Sequence, residues 1–307
     1  MKISFVIPCY CSELTIRDVT DEIKKTAKDA DIEIILVNDN SKDGTWKVLK
    51  ELAAEDPRIK CVSFARNFGQ HSALLAGYSF ADGDVIVSLD DDGQTPADEF
   101  WKLVNRLGDD CDVCYAAYKH KQHNAFRNMG TKANSLMAEW LINKPHDMQI
   151  TSYFAMKKFV KNDVLKYRNA YPYVPGLVLR ATSNLASVEV NHRARSVGKS
   201  GYSFSKLVSL WMNGFTAFSV KPLRLATFMG GFVAVAGAVA AIVTIVRKLL
   251  NPEMAAGWAS TFSAILLIGG LILAVLGMIG EYIGRIYISI NSAPQYVIKE
   301  RINTGDE

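Results

Sequence analysis

A short apolar run, Val85-Ile86-Val87-Ser88-Leu89, ends abruptly in Asp90-Asp91-Asp92, followed by Gly93-Gln94-Thr95-Pro96. The run is bounded by Gly83 on one side and by Gly93 and Pro96 on the other, which reads as a buried strand of a parallel sheet. Carboxylates just beyond such a strand sit where open α/β sheets bind ligands. Three adjacent acids repel one another, so the pattern calls for a cation or a cationic partner. Oxygen-only ligation favours Mg2+ or Mn2+, and Mg2+ usually completes its shell with substrate phosphates. The chemistry these residues suggest is a metal–diphosphate site. The competing reading is an acidic, solvated turn.

The elements that must position these acids alternate along the chain. Residues 3–8 read as a strand ending at Pro8, and 14–27 have helical spacing. Residues 32–37 form a second strand, closed by Asn38-Asp39-Asn40-Ser41 and the turn Asp43-Gly44. A helix over 45–55, a strand over 59–64, a helix over 72–81 and the strand over 85–89 follow. This order predicts an α/β domain with a mostly parallel sheet and helices on both faces. Tyr10, Asp39, Arg66 and Asp90–Asp92 then converge on one sheet edge from separate loops. There is no Gly-x-Gly-x-x-Gly, no complete Gly-x-x-x-x-Gly-Lys-Ser/Thr loop and no serine nucleophile elbow. Phosphate would be held through metal and side chains. His71, His120, His123, His146 and His192 are scattered and read as structural or solvated.

The 307 residues carry a net charge of +4, too little to argue for nucleic acid. The five cysteines (Cys9, Cys11, Cys61, Cys111, Cys114) lack zinc-ligand spacing, and their odd number argues against a disulfide framework. Free thiols in a reducing compartment are expected. The chain opens directly on a strand, without a signal peptide, so the soluble part is expected in the cytosol.

The 49% hydrophobic content is unevenly spread, because 223–290 is dominated by apolar and small residues. Leu223–Val246 and Ala259–Ile279 are each long enough to cross a hydrocarbon core of about 30 Å. Between them, residues 247–253 can form a hairpin loop. The alternative is two buried helices of a soluble protein. Lys221, Arg224, Arg285, Lys299 and Arg301 outside the pair, against Arg247 and Lys248 within it, place both outer ends in the cytoplasm. Glu281 and Arg285 are spaced to pair along one helix face. Residues 203–222, with Phe204, Trp211, Phe215 and Phe218, read as an amphipathic interfacial region on the bilayer or packed on the soluble domain. The expected organisation is 1–202 soluble, 203–222 interfacial, 223–290 a two-helix hairpin and 291–307 a cytoplasmic tail. Gly and Ala in the first span allow close helix packing and a homo-oligomer, a tetramer among the options.

Pro8-x-Tyr10, Asn38-Asp39-x-Ser41, Arg66-Asn67-Phe68-Gly69 and Asp90-x-Asp92-x-Gln94 resemble, in order and spacing, the inverting GT-A glycosyltransferases of family two. The likeness is to the polyprenyl-phosphate glycosyltransferases: dolichol-phosphate-mannose synthases, bactoprenol glucosyltransferases and, especially, undecaprenyl-phosphate formamido-arabinose transferases. Arg66–Gln70, the region from Arg195 to Gly198-x-Ser200 and Gly280–Tyr287 carry that last likeness. The resemblance implies that Pro8, Tyr10, Glu13 and Asp39 line a nucleotide pocket, shaped also by Arg66. It implies that Asp90 and Asp91 face the nucleotide sugar and that Asp92 and Gln94 hold Mg2+ or Mn2+. Arg127, Arg195, Lys199 and Ser200 would receive a polyprenyl phosphate, with Asp90, Asp92, Arg127 and Arg195 as the catalytic set. The implied donor is a UDP-sugar, the acceptor undecaprenyl phosphate and the location a bacterial cytoplasmic membrane, crossed more than once.

The chain departs from the pattern at Cys11, where the family usually has Asn, and at Gly201, where it usually has Lys. Relatives often carry an acid in the segment covered here by Gln149–Tyr153, which has none. A processive polysaccharide synthase would show Gln-x-x-Arg-Trp and more spans. A membrane-anchored scaffold with a degenerate transferase domain is the rival from another class; the intact Asp90-x-Asp92-x-Gln94 opposes it. A flippase or channel would need more wall than two spans supply.

Overall fold

Strand β1 (Ile3–Cys9) and strand β2 (Ile32–Asn38) lie side by side, parallel, with Ile3 opposite Ile32 and Cys9 opposite Asn38. Every residue of β2 is buried, as expected of a strand covered on both faces. The computed structural model describes residues 1–28, 30–118, 148–170, 172–191, 221–251, 257–290 and 294–305. Strands β3 (Ile59–Phe64), β4 (Val85–Ser88), β5 (Val113–Tyr118), β6 (Phe154–Lys157), β7 (Leu185–Val190) and β8 (Ile298–Ile302) complete one sheet, ordered β7-β5-β6-β4-β1-β2-β3-β8. β4, β1, β2 and β3 are mutually parallel, as are β5 and β7. β6 runs antiparallel to both β4 and β5, and β8 antiparallel to β3. The sheet is therefore mostly parallel but mixed.

Helix α1 (Ile16–Ala27) buries Ile16, Val19, Ile23 and Ala27, the periodicity of an amphipathic helix on a sheet face. It starts later than the expected residue 14, because the amides of Thr15 and Ile16 first turn back to the Ser12 carbonyl, leaving Leu14 69% exposed. Helix α2 (Thr45–Glu55) joins β2 to β3. Helix α3 (Gln70–Ser79) covers the other face. It approaches so closely at Gly77 that an added Cβ would lie 2.3 Å from Val6 Cγ1 and 3.3 Å from Val37 Cγ2. The short helices α4 (Phe100–Val104), α5 (Lys158–Val164) and α6 (Val174–Ala181) fill the remaining connections. All five cysteines are free thiols, and only Cys11 is exposed.

The sequence leaves 291–307 as a tail, but the chain returns to the sheet. β8 pairs Cys61 with Ile302 and Ser63 with Glu300, and Asn303 Nδ2 donates to the carbonyls of Ala53 and Ile59 at 2.8 and 3.0 Å. Its exposed Lys299, Glu300 and Arg301 make a charged outer edge that discourages further strand pairing.

The chain divides into two units, 1–204 with 292–307, and 205–291. Within the second, α7 (Lys221–Leu250) packs on α8 (Trp258–Ile290). Among the described residues one helix is long and apolar enough to cross a membrane, through Leu267–Gly284 of α8; α7 contains a shorter apolar stretch, Ala226–Gly237. Residues 203–220 of the expected interfacial segment lie outside the described residues, as do the side chains of Glu281 and Arg285, while its last two residues begin α7.

Candidate active site

Because β1, β2 and β4 are parallel and in register, their ends deliver Tyr10, Asp39 and Asp90 to the same edge of the sheet. Asp90 follows β4 and is held at both carboxylate oxygens. Gln70 Nε2, in the first turn of α3, donates to Oδ1 at 3.0 Å, and the Ser152 hydroxyl, just before β6, donates to Oδ2. Burial raises the pKa of Asp90 and the charge of Asp92 adds to the rise, while the Ser152 and Gln70 hydrogen bonds oppose it. Asp91 turns the other way. Its Oδ2 accepts the Tyr10 N–H at 2.9 Å, and its carbonyl accepts the Thr15 hydroxyl at 2.6 Å. Burial lifts the Asp91 carboxyl to about 6 despite the Tyr10 hydrogen bond. Asp92 Oδ1 accepts the Gln94 N–H at 3.0 Å, closing a turn through Gly93, whose φ of +71° suits glycine.

Asp39 lies at the end of β2 and is buried. Its Oδ1 accepts the Phe68 N–H at 2.7 Å and its Oδ2 the Gly69 N–H at 2.8 Å. The carboxylate thus gathers the amides that lead into α3, an arrangement favoured by the positive end of a helix. Burial still raises its pKa, against those two hydrogen bonds. Gly69 has φ +89°, the left-handed region in which it can present its N–H this way. Arg66 lays its guanidinium 4.6 Å from the centre of the Phe68 ring.

Pro8 is the penultimate residue of β1, and beyond the strand Tyr10 leaves its side chain 50% exposed over the edge. Glu13 accepts the Gly44 N–H at the start of α2, and its own N–H donates to Asp43 Oδ2 at 3.3 Å. Glu13 therefore ties two loops together. Cys11 has φ +56°, and its N–H donates to Ser41 Oγ at 3.0 Å.

The structure thus brings Pro8, Tyr10, Glu13, Asp39, Arg66, Asp90, Asp91, Asp92 and Gln94 to the strand ends and loops along one edge. Arg127, Arg195, Lys199 and Ser200 lie outside the described residues. Among the described residues no three His, Cys, Asp or Glu side chains form a ligand group for a metal ion. The donor set still fits a hard cation. Asp92 and Gln94 both offer side-chain oxygens, the neighbouring Asp90 adds negative charge, and a cation with few protein ligands completes its shell with substrate oxygens.

Sequence reasoning missed Gln70, Ser152 and Tyr118. The Tyr118 hydroxyl is pushed up to about 12, first by burial and then by the charge of Asp90. Ser152 had a signal, since it falls in the segment where an acid is missing.

Residues 4–179 match glycosyl transferase family 2, and residues 221–286 match the GtrB C-terminal hairpin. The chain belongs to glycosyl transferase family 2. It is 32% identical to the undecaprenyl-phosphate 4-deoxy-4-formamido-L-arabinose transferase of Proteus mirabilis, over 97% of this chain and 93% of that one. It is 31% identical to the glycosyltransferase YkcC of Bacillus subtilis, over 98% of this chain and 94% of that one. Among solved structures it resembles glucosyl-3-phosphoglycerate synthase from Mycobacterium tuberculosis in complex with Mn2+, uridine diphosphate and phosphoglyceric acid. The TM-score is 0.50 at 19% identity, over 69% of this chain and 78% of that one, a likeness of fold. This family 2 chain is a transferase with a GT-A-like α/β fold.

Proposed function

We propose that this family 2 enzyme moves a sugar from a UDP-sugar to the phosphate of a polyprenyl phosphate, undecaprenyl phosphate being the acceptor, with inversion at the anomeric carbon. The observation that carries this reading is the Asp90–Asp91 pair, held by Gln70, Ser152 and Tyr10 at the edge where the strand ends converge. The near-full-length likeness to an undecaprenyl-phosphate sugar transferase supports the acceptor class.

The chemistry needs no strong base. A lipid phosphate has its second pKa at about 6 and is already an anionic nucleophile at neutral pH. Its oxygen attacks the anomeric carbon while the bond to the nucleotide diphosphate breaks. Tyr10, Asp39 and Arg66 bind the nucleotide, with Pro8 and Glu13 shaping the loops around it. Asp90 and Asp91 orient the sugar. Arg127, Arg195, Lys199 and Ser200 receive the acceptor phosphate, a task suited to the guanidinium fork. Asp92 and Gln94 would hold Mg2+ or Mn2+, which when bound supplies Lewis-acid stabilisation of the leaving diphosphate.

Both α7 and α8 are proposed to sit in the bilayer of a bacterial cytoplasmic membrane, with the transferase unit on the cytoplasmic side. Phe228, Phe232, Val235, Val239 and Ile242 of α7 and Ile265, Leu267, Ile272, Leu273 and Leu276 of α8 are exposed, an apolar surface that lipid or further copies of the chain would cover. The small residues of α7 suit a homo-oligomer.

The test is full-length protein in detergent with undecaprenyl phosphate, Mg2+ or Mn2+ and a panel of UDP-sugars, read out as lipid-soluble product. Product from one donor establishes the reaction and names the sugar, and Asp92→Asn should abolish it. A chain that binds no nucleotide and makes no product would sink the proposal.

A further inference from the structure

The loop that closes on Asp39 is supported from behind by the far end of the chain. Tyr296, just before β8, stacks on Phe64 with ring centroids 5.3 Å apart and planes 7° from parallel. Phe64 meets Phe68 edge-on at 5.7 Å. Phe68 carries the Arg66 guanidinium on its ring and donates its N–H to Asp39 Oδ1. An unbroken line of contacts therefore runs from Tyr296 through two aromatic rings to the Asp39 carboxylate.

Tyr296 is itself fixed on both sides. Gln295 Nε2 donates to the carbonyls of Tyr167 and Asn169, each at 2.9 Å. The carbonyl of Val297 accepts the Ala65 N–H at 2.9 Å, one residue before Arg66. Trp46 Nε1 donates to Glu300 Oε2 at 3.1 Å further along. The loop it supports needs such a backing. Between β3 and α3, the two amides that face Asp39 depend on Gly69 at φ +89°, a backbone conformation with little side-chain restraint of its own. Phe68 can hold its amide toward Asp39 only while its ring is seated, and Phe64 backed by Tyr296 is the seat.

We propose that Tyr296 is a positioning residue of the nucleotide pocket, setting the Arg66–Gly69 loop through Phe64 and Phe68. The nucleotide part of this inference rests on the reading of Asp39 and Arg66 as pocket residues. Tyr296 reaches Asp39 only through Phe64 and Phe68, so its expected effect falls on donor binding more than on the chemical step.

The test uses the full-length chain in detergent, with UDP as the probe. Tyr296→Ala should speed hydrogen exchange in peptides covering residues 65–70 and weaken UDP binding by about three- to tenfold, the scale of one aromatic contact. It should raise KM for the donor sugar with kcat little changed. Tyr296→Phe keeps the stack and should restore all three. Asn303→Ala loosens the opposite end of β8 and should leave UDP binding unchanged. If Tyr296→Ala spreads fast exchange over β1 and β2, the fold has been lost, and Tyr296→Leu carries the same comparison. Unaltered exchange at 65–70 together with unaltered UDP affinity would overturn the inference. Faster exchange at 65–70 in a chain whose Asp39→Asn variant binds UDP normally would uphold the support of the loop and overturn the nucleotide reading instead.

Discussion

The backbone N–H of Tyr10 donates to Oδ2 of Asp91 at 2.9 Å, so the loop leaving β1 is fastened to the loop leaving β4 by a half-buried carboxylate. Asp91 is at once a strut and a charge. Its carboxyl titrates at about 6, above the 3.8 of an ordinary aspartate, because of burial. A raised acid contributes stability that is full below the unfolded value and is lost as pH rises through the folded one. Asp91→Asn keeps an oxygen for the Tyr10 amide and removes the half-buried charge. Its thermal midpoint should gain on the wild type between pH 4 and pH 7, while transferase activity falls. A constant gap across that range would show that the charge is not what burial penalises.

Ser152→Ala should cut kcat/KM by about ten- to a hundredfold, the scale of losing one hydrogen bond to a charged group. The reason is that Asp90 Oδ2 would lose its donor and the carboxylate its fixed angle. Ser152→Thr keeps the hydroxyl and should retain most activity. Steady-state kinetics of the two variants decide the matter; equal activity in both would remove Ser152 from the site.

Cys11 sits at φ +56°, where a side chain of this kind is strained by roughly 1 kcal/mol and Asn is better tolerated. Cys11→Asn should raise the denaturant midpoint, corresponding to a gain of up to about 1 kcal/mol, and Cys11→Val should lower it. Equal midpoints for both variants would mean that the backbone there relaxes freely.

Glu33 lies at the opposite end of the sheet from the acids and is buried. Burial alone would raise its carboxyl, but Lys2, Ser4, Lys60 and the Asp82 amide together bring it down to about 2. Lys2 and Lys60 approach to 2.8 and 2.9 Å. A depressed acid contributes stability that is present above its unfolded value of 4.5 and is lost as pH falls through about 2. Glu33→Gln should cost about 3 kcal/mol at neutral pH, because two cations lose their buried partner. The difference from wild type should shrink below pH 4.5. Urea titrations at pH 7 and pH 3 measure it, and a deficit that persists undiminished at pH 3 would count against the charge pairing.

The alternation of strands and helices, and the convergence of Tyr10, Asp39, Arg66 and Asp90, were legible because buried parallel strands are written as apolar runs with polar ends. β8 was not, because Lys299-Glu300-Arg301 fills its centre with charge and its apolar ends are only Ile298 and Ile302. α3 begins at Gln70 rather than at the expected Ser72, because Asp39, thirty residues upstream of Gly69, satisfies amides that a local capping rule looks for nearby. The two donors on Asp90 come from α3 and from the approach to β6, contacts that only the folded sheet brings together.

The antiparallel pairing of β8 with β3 also imposes an order on synthesis. Trp46 and its partner Glu300 are 254 residues apart, and the segments that become α7 and α8 are made between them. At ribosomal speeds β3 waits roughly 10 to 50 seconds with a bare edge. The sheet of the transferase unit therefore gains β8 only after the hydrophobic helices have emerged, so a strand translated late covers an edge laid down early.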